Sequence, residues 1–328
     1  MKKIIIDKQV VNIPQSWDEL TADQYTFISN LIYSYSCEEI DIVQLQLFAV
    51  CKILNLQVKQ KSSKKSLSNY FLFLISLIKM RFILLFKRVS RENYIKYRDA
   101  ARECFMVYEE KNDLLEFNMI QIANEMSFLS AENFNITLSN NPIKEISGIG
   151  PGRKFNVGFV INTDLTAGEY ADVMDMVIAW EETKQPEILN YITAMLYSKA
   201  SSLRDVIDNE ELIKNTGKQP FAIKYAVYLW FVSISNYFLN HPVYSHLYLG
   251  KKAEGEKITL GMGETLIRLS KAGYGTISEM RNKNLIEYMD IQVAELQESI
   301  RGALAAGIEP TKISEKTGRT LSQIELLS

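Results

Sequence analysis

Residues that interrupt helices are scarce in this 328-residue chain: 15 glycines and seven prolines leave few obligatory turns, and that scarcity favours helices over closely turned strands. Cysteine is scarcer still. Cys37, Cys51 and Cys104 are odd in number and widely spaced with no CxxC, a pattern that offers neither a disulfide framework nor a zinc site and fits a reducing cytosol. The two histidines, His241 and His246 in NHPVYSHL, exclude a His-rich metal site. Their spacing of five, with Pro242 between them, predicts a surface turn and not one helical face. The opening MKKIIIDKQVV has an apolar run too short for a signal peptide, since Asp7 and Lys8 cut it off.

With a nucleophile–histidine pair, a metal cluster and a phosphate loop all missing, the sequence points away from an enzyme, and no catalytic, cofactor-binding or metal-ligating residue is assigned. Glycine is concentrated in one place, ISGIGPGRKFNVGF at residues 146–159. A dinucleotide fingerprint fails there because Arg153 stands where the third glycine belongs, and a Walker loop fails for want of GKS or GKT. A helix-hairpin-helix reading fails because FNVGFVI follows in place of a helix. The remaining expectation is a glycine-rich connection into a strand of a small sheet.

What the chain does contain is an internal repeat. LTADQYTFISNLIYSYSCEEIDIVQLQLFAVC at 20–51 aligns without a gap on LTAGEYADVMDMVIAWEETKQPEILNYITAML at 165–196. Thr21 and Thr166 are predicted N-caps, with Gln24 and Glu169 at the third helical position of a capping box. Apolar residues then recur at helical spacing: Tyr25, Ile28, Leu31 and Ile32 in one copy, Tyr170, Val173, Met176 and Val177 in the other. A second helix follows in each copy, at 43–54 and 187–197, making a helical hairpin. Upstream, Ile4, Ile6, Val10 and Val11, and then Phe155, Val157, Phe159 and Ile161, alternate as strands would. The expected fold is therefore mostly α with small β elements (α+β), carrying two related helical-hairpin units. Its expected regions are 1–145, 146–250 and a linker with a C-terminal helical region at 251–328.

Charge is distributed unevenly. Residues 58–98 hold eleven lysines and arginines against the single Glu92, a surplus of ten. The whole chain carries −2, which leaves −12 elsewhere. Lys59, Lys61, Lys64, Lys65, Lys87, Arg88 and Arg91 are the candidate partner contacts. The apolar run YFLFLISLIKMRFILLF at 70–86 invites a membrane reading, but Lys79 and Arg81 each cost roughly 2.5–3.5 kcal/mol at mid-membrane. A buried helix with snorkelling bases is the better reading. A second apolar helix is expected at 221–239, between Pro220 and Pro242. The last segment, IRGALAAGIEPTKISEKTGRTLSQIELLS, has a helix-turn-helix cadence with helices at 310–317 and from Leu321. Its final helix offers Gln323 but also Glu325, so a packing or docking tail is preferred to a DNA reader.

The segments IPQSWDELTADQY at 13–25 and RKFNVGFVINTDLTAGEY at 153–170 resemble virion and tail-morphogenesis proteins of tailed bacteriophages of Bacteroidota, including crAss-like phages. The resemblance covers about residues 1–55 and 150–300, including LIRLSKAGYGTISEMRNKNLIEYMDI, and the basic stretch departs from it. It implies a non-enzymatic, tail-assembly-chaperone-like protein in the host cytoplasm, binding other phage structural proteins and needing no cofactor. One alternative is a ring-forming head-to-tail connector of the virion, a homo-oligomer. Another is a membrane- or nucleic-acid-associated protein acting through 58–98.

Overall fold

The computed structural model describes residues 1–6, 9–54, 126–129, 136–248 and 262–327, and shows a mostly helical chain with a few short strands. The chain divides into two compact units, Met1–Gln15 with Ile40–Glu132, and Ser16–Glu39 with Asn133–Ser328. The boundary passes between the two helices of the first repeat copy, whereas the second copy lies in one unit.

In the first unit, β1 (Lys2–Ile6) and β2 (Gln9–Ile13) form an antiparallel ribbon in which Lys2 faces Ile13 and Ile6 faces Gln9. Helix α2 (Ile42–Ile53) starts at an Asp41–Gln44 capping box, and its Leu45, Ala49 and Val50 are fully buried. Gln46 reaches the short turn Ser127–Leu129, donating to the carbonyl of Leu129 at 3.3 Å.

The second unit begins with α1 (Ala22–Ser36), capped by Thr21 as its sequence predicts. Two short ribbons follow: β3 (Glu145–Ile146) with β4 (Gly150–Pro151), and β5 (Phe155–Asn156) with β6 (Asn162–Thr163). The alternating stretch 155–161 is thus not one strand. Phe155 enters the core, but the chain turns back through Gly158, and Phe159 and Val160 lie outside. Next come α3 (Ala167–Thr183), α4 (Pro186–Tyr197), α5 (Leu203–Ile207), α6 (Glu210–Gly217) and α7 (Phe221–Asn240). Helix α3 packs on α4 as a hairpin, with Lys184 in the left-handed conformation closing α3 and Pro186 opening α4.

Helix α7 is the axis of this unit. It is apolar nearly all round, which marks a helix surrounded by others, and α1 and α4 pack directly against it. Helix α3 reaches it through rings: Tyr170 lies 5.3 Å from Phe231, and Trp180 lies 6.1 Å from Tyr228. The repeat tyrosines perform parallel tasks here. Tyr25 donates to the carbonyl of Ala226 at 2.9 Å, and Tyr170 shares a 3.1 Å hydrogen bond with Ser235. These two anchors sit roughly 13 Å apart along α7. Lys224, on the same helix, is buried but donates to Asn190 at 2.8 Å, and burial lowers its pKa.

After the turn Tyr244–Tyr248 come α8 (Met262–Lys271), α9 (Ile277–Asn282), α10 (Leu285–Ala305), α11 (Pro310–Thr317) and α12 (Leu321–Leu327). Gly318, at φ +69°, ends α11 in the left-handed region, and Ile300, Ile313, Ile324 and Leu327 form a small core under the last three helices.

Candidate functional site

The glycine-rich stretch is built to fit around the end of α4. Gly148, at φ +78°, turns the β3–β4 ribbon. A side chain at Gly150, whose φ is +146°, would place its Cβ 2.7 Å from the carbonyl oxygen of Tyr197. At Gly152 the Cβ would fall 2.6 Å from the amide nitrogen of Asn141 and 2.7 Å from the Tyr197 ring. The Tyr197 hydroxyl donates to the carbonyl of Ile143 at 2.7 Å. The loop amides are committed internally: Ile149 donates to Ile146, Gly152 to Lys144, Arg153 to Leu196 and Lys154 to the Asp164 carboxylate. A phosphate loop must present such donors to its ligand, and here they satisfy the chain itself, including a carbonyl in the last turn of α4.

Arg153 carries this loop onto the second repeat cap. Its guanidinium pairs with one oxygen of Glu169, while the other oxygen accepts from the Thr166 amide at 2.9 Å. Thr166 completes the box by accepting from the Glu169 amide at 3.2 Å. Burial pushes the Glu169 carboxyl up, and the Thr166 hydrogen bonds and Arg153 pull it back only in part. The flanking backbone is tied as well: Ala167 donates to Lys283, Leu285 donates to Leu165, and Asn284 donates to the carbonyl of Thr163 at 2.7 Å. One turn further, Asp172 accepts from Arg281 at 2.7 Å and from the Leu203 amide at 3.0 Å. Gly168 makes room for this approach, since a Cβ there would lie 3.1 Å from Arg281. The first cap, by contrast, is an exposed box of Thr21 and neutral Gln24.

Both predicted caps are therefore in place. The predicted partner contacts Lys59, Lys61, Lys64, Lys65, Lys87, Arg88 and Arg91, the apolar run 70–86 and Cys104 lie outside the described residues. Of the other cysteines, Cys37 is exposed at the end of α1 and Cys51 is half-buried in α2. The histidines depart from the expected surface turn. His246 is buried because the segment after α7 folds back as a 3₁₀ turn, and His241 is half-buried at the junction. Among the described residues, no group of three or more His, Cys, Asp or Glu side chains is placed to hold a metal ion. Nor, among them, is any helix long and apolar enough to cross a membrane. The C-terminal helices have the predicted helix-turn-helix arrangement. Gln323, however, is engaged with Thr320 in a reciprocal cap at 2.9 and 3.3 Å, and the outer face of α12 presents Leu321, Glu325 and Leu326.

The feature that periodicity missed is the tip of the β5–β6 ribbon. Phe159 is fully exposed and Val160 is 74% exposed, on a loop whose base is fixed by four hydrogen bonds. Lys154 donates to Asp164 at 2.6 Å, Asp164 to Lys154 at 3.3 Å, Thr163 to Lys154 at 2.7 Å and Val157 to Ser139 at 2.8 Å. Gly158, flanked by Asn156 and Asn162, was the available sign of a turn. Comparison of the chain with known proteins found no matching family model, no matching curated protein and no matching solved structure.

Proposed function

We propose that this chain is a non-enzymatic morphogenesis protein of a tailed bacteriophage that holds a structural protein during assembly in the host cytoplasm, in the manner of a tail-assembly chaperone. The resemblance at 13–25 and 153–170 supplies the phage context, and one structural observation supports a binding role: a Phe159–Val160 tip held out on a fixed base. A large apolar ring left wholly in water is a loss to the isolated chain, and such side chains anchor protein contacts when a partner covers them. A second reading, a ring-forming connector, draws on the surplus of ten positive charges at 58–98 against −12 elsewhere, because complementary surfaces on one chain favour head-to-tail closure.

Purified particles of a phage carrying this chain separate the two readings. A chaperone is absent from them, and a connector is present at fixed copy number. The double substitution Phe159→Ser with Val160→Ser is expected to lower particle yield while leaving the protein folded. Unchanged yield would overturn the role of the tip.

A further inference from the structure

Both histidines of the chain fall within residues 241–248, directly after α7. His241 ends α7 and opens the 3₁₀ turn Tyr244–Tyr248. Its Nδ1 accepts from the backbone amide of Val243 at 3.2 Å and from that of Tyr244 at 3.4 Å. Accepting at Nδ1 requires a neutral imidazole with its proton on Nε2; protonation at Nδ1 turns the acceptor into a donor that faces two other donors. The side chain thus serves the turn as a cap that exists in one charge state only.

That turn holds the C-terminal region. The Tyr244 ring stacks on His241 at 4.5 Å, and its hydroxyl donates to Asp290 of α10 at 2.8 Å. Further along, the carbonyl of buried His246 accepts from the guanidinium of Arg319 at 2.7 Å. Arg319 is itself buried in the junction between α11 and α12, where its own carbonyl accepts from Ser314. The groups facing His241 are Tyr237 of α7, 5.4 Å away between ring centres, Tyr244 of the turn, and the carboxylate of Asp290 from α10. Asp290 is the only charge among these, and it already accepts from Tyr244.

We infer that His241 is an acid-operated latch, which when protonated lets go of the Val243 and Tyr244 amides, turns toward Asp290, and frees the turn that ties α10 and Arg319 to the end of α7. Burial holds the His241 imidazole below its ordinary value, against the pull of Asp290. The latch therefore stays closed above the ordinary histidine range and opens as pH falls through that range and the lowered folded value. In an assembly protein this makes the C-terminal helices separable from the core without unfolding it.

Amide hydrogen exchange of the intact chain at pH 7.5 and pH 5.0, corrected for intrinsic rates, tests the latch. Protection at Val243 and Tyr244 and across α11 and α12 is expected to fall about tenfold at pH 5.0, while α7 keeps its protection. His241→Asn keeps an acceptor without a titration in this range and is expected to hold protection at both values; His241→Ala is expected to be open at both. Equal wild-type protection at the two pH values would overturn the latch. So would a His241→Asn chain that loosens at pH 5.0 like the wild type, or a simultaneous loss of protection in α7.

Discussion

The two repeat copies start alike and end in different surroundings. Thr21 and Thr166 each close a complete capping box, and Tyr25 and Tyr170 each reach α7. The first cap is exposed. Around the second, Arg153, the 283–285 backbone and the glycine loop converge, and the neutral Gln24 of the first copy is replaced by a buried Glu169 with a cation of its own. A repeated sequence thus fixes how a helix begins and which helix it meets; the insertions between repeats decide how much each copy supports.

The difference is most severely broken at the glycine loop that precedes the second copy and has no counterpart before the first. Gly150→Ala sets a Cβ against the Tyr197 carbonyl at a backbone angle that disfavours side chains. Its expected cost is about 4 kcal/mol, combining left-handed strain with overpacking. Chemical denaturation should show it as a markedly lower midpoint with an unchanged slope.

Arg153→Met comes next, at about 2 kcal/mol near neutral pH, because it leaves the Glu169 carboxylate buried without its cation. Here the pH profile sharpens the claim. A carboxyl held above its ordinary value binds its proton more tightly in the folded chain, so its contribution is present below the unfolded value and lost as pH rises through the folded one. The variant should therefore regain stability relative to wild type as pH is lowered from 7 toward the ordinary carboxylate range, which melts across that interval would reveal.

The caps give the smallest effects. Thr166→Ala should cost about 1.5 kcal/mol and Thr21→Ala about 0.5 kcal/mol, since the second box is embedded and the first is exposed to compensating water. Equal melting shifts for the pair would remove the distinction between the copies.

Much of this frame was legible in the sequence. The caps, the helices at 42–53 and 186–197, the apolar helix between Pro220 and His241 and the Gly318 turn all follow local rules that a few neighbouring residues satisfy. What periodicity could not supply was anything set by distant partners. Arg153 reads as half of a basic pair after a glycine run, yet its role depends on Glu169 and Ala200. Alternation at 155–161 reads as a strand because period two says which residues alternate, not whether a second sheet or water lies beyond them. His246 reads as surface because burial of a turn depends on Arg319, 73 residues later.

The frame around the second copy stands without the Phe159–Val160 tip of the β5–β6 ribbon that precedes it. Thermal unfolding of the Phe159→Ser, Val160→Ser double variant beside wild type tests this most directly. Melting is expected within about 2 °C of wild type, as for substitutions that touch nothing buried. A fall of ten degrees or more would contradict it, placing the tip in the fold's own core and leaving no free surface for a partner.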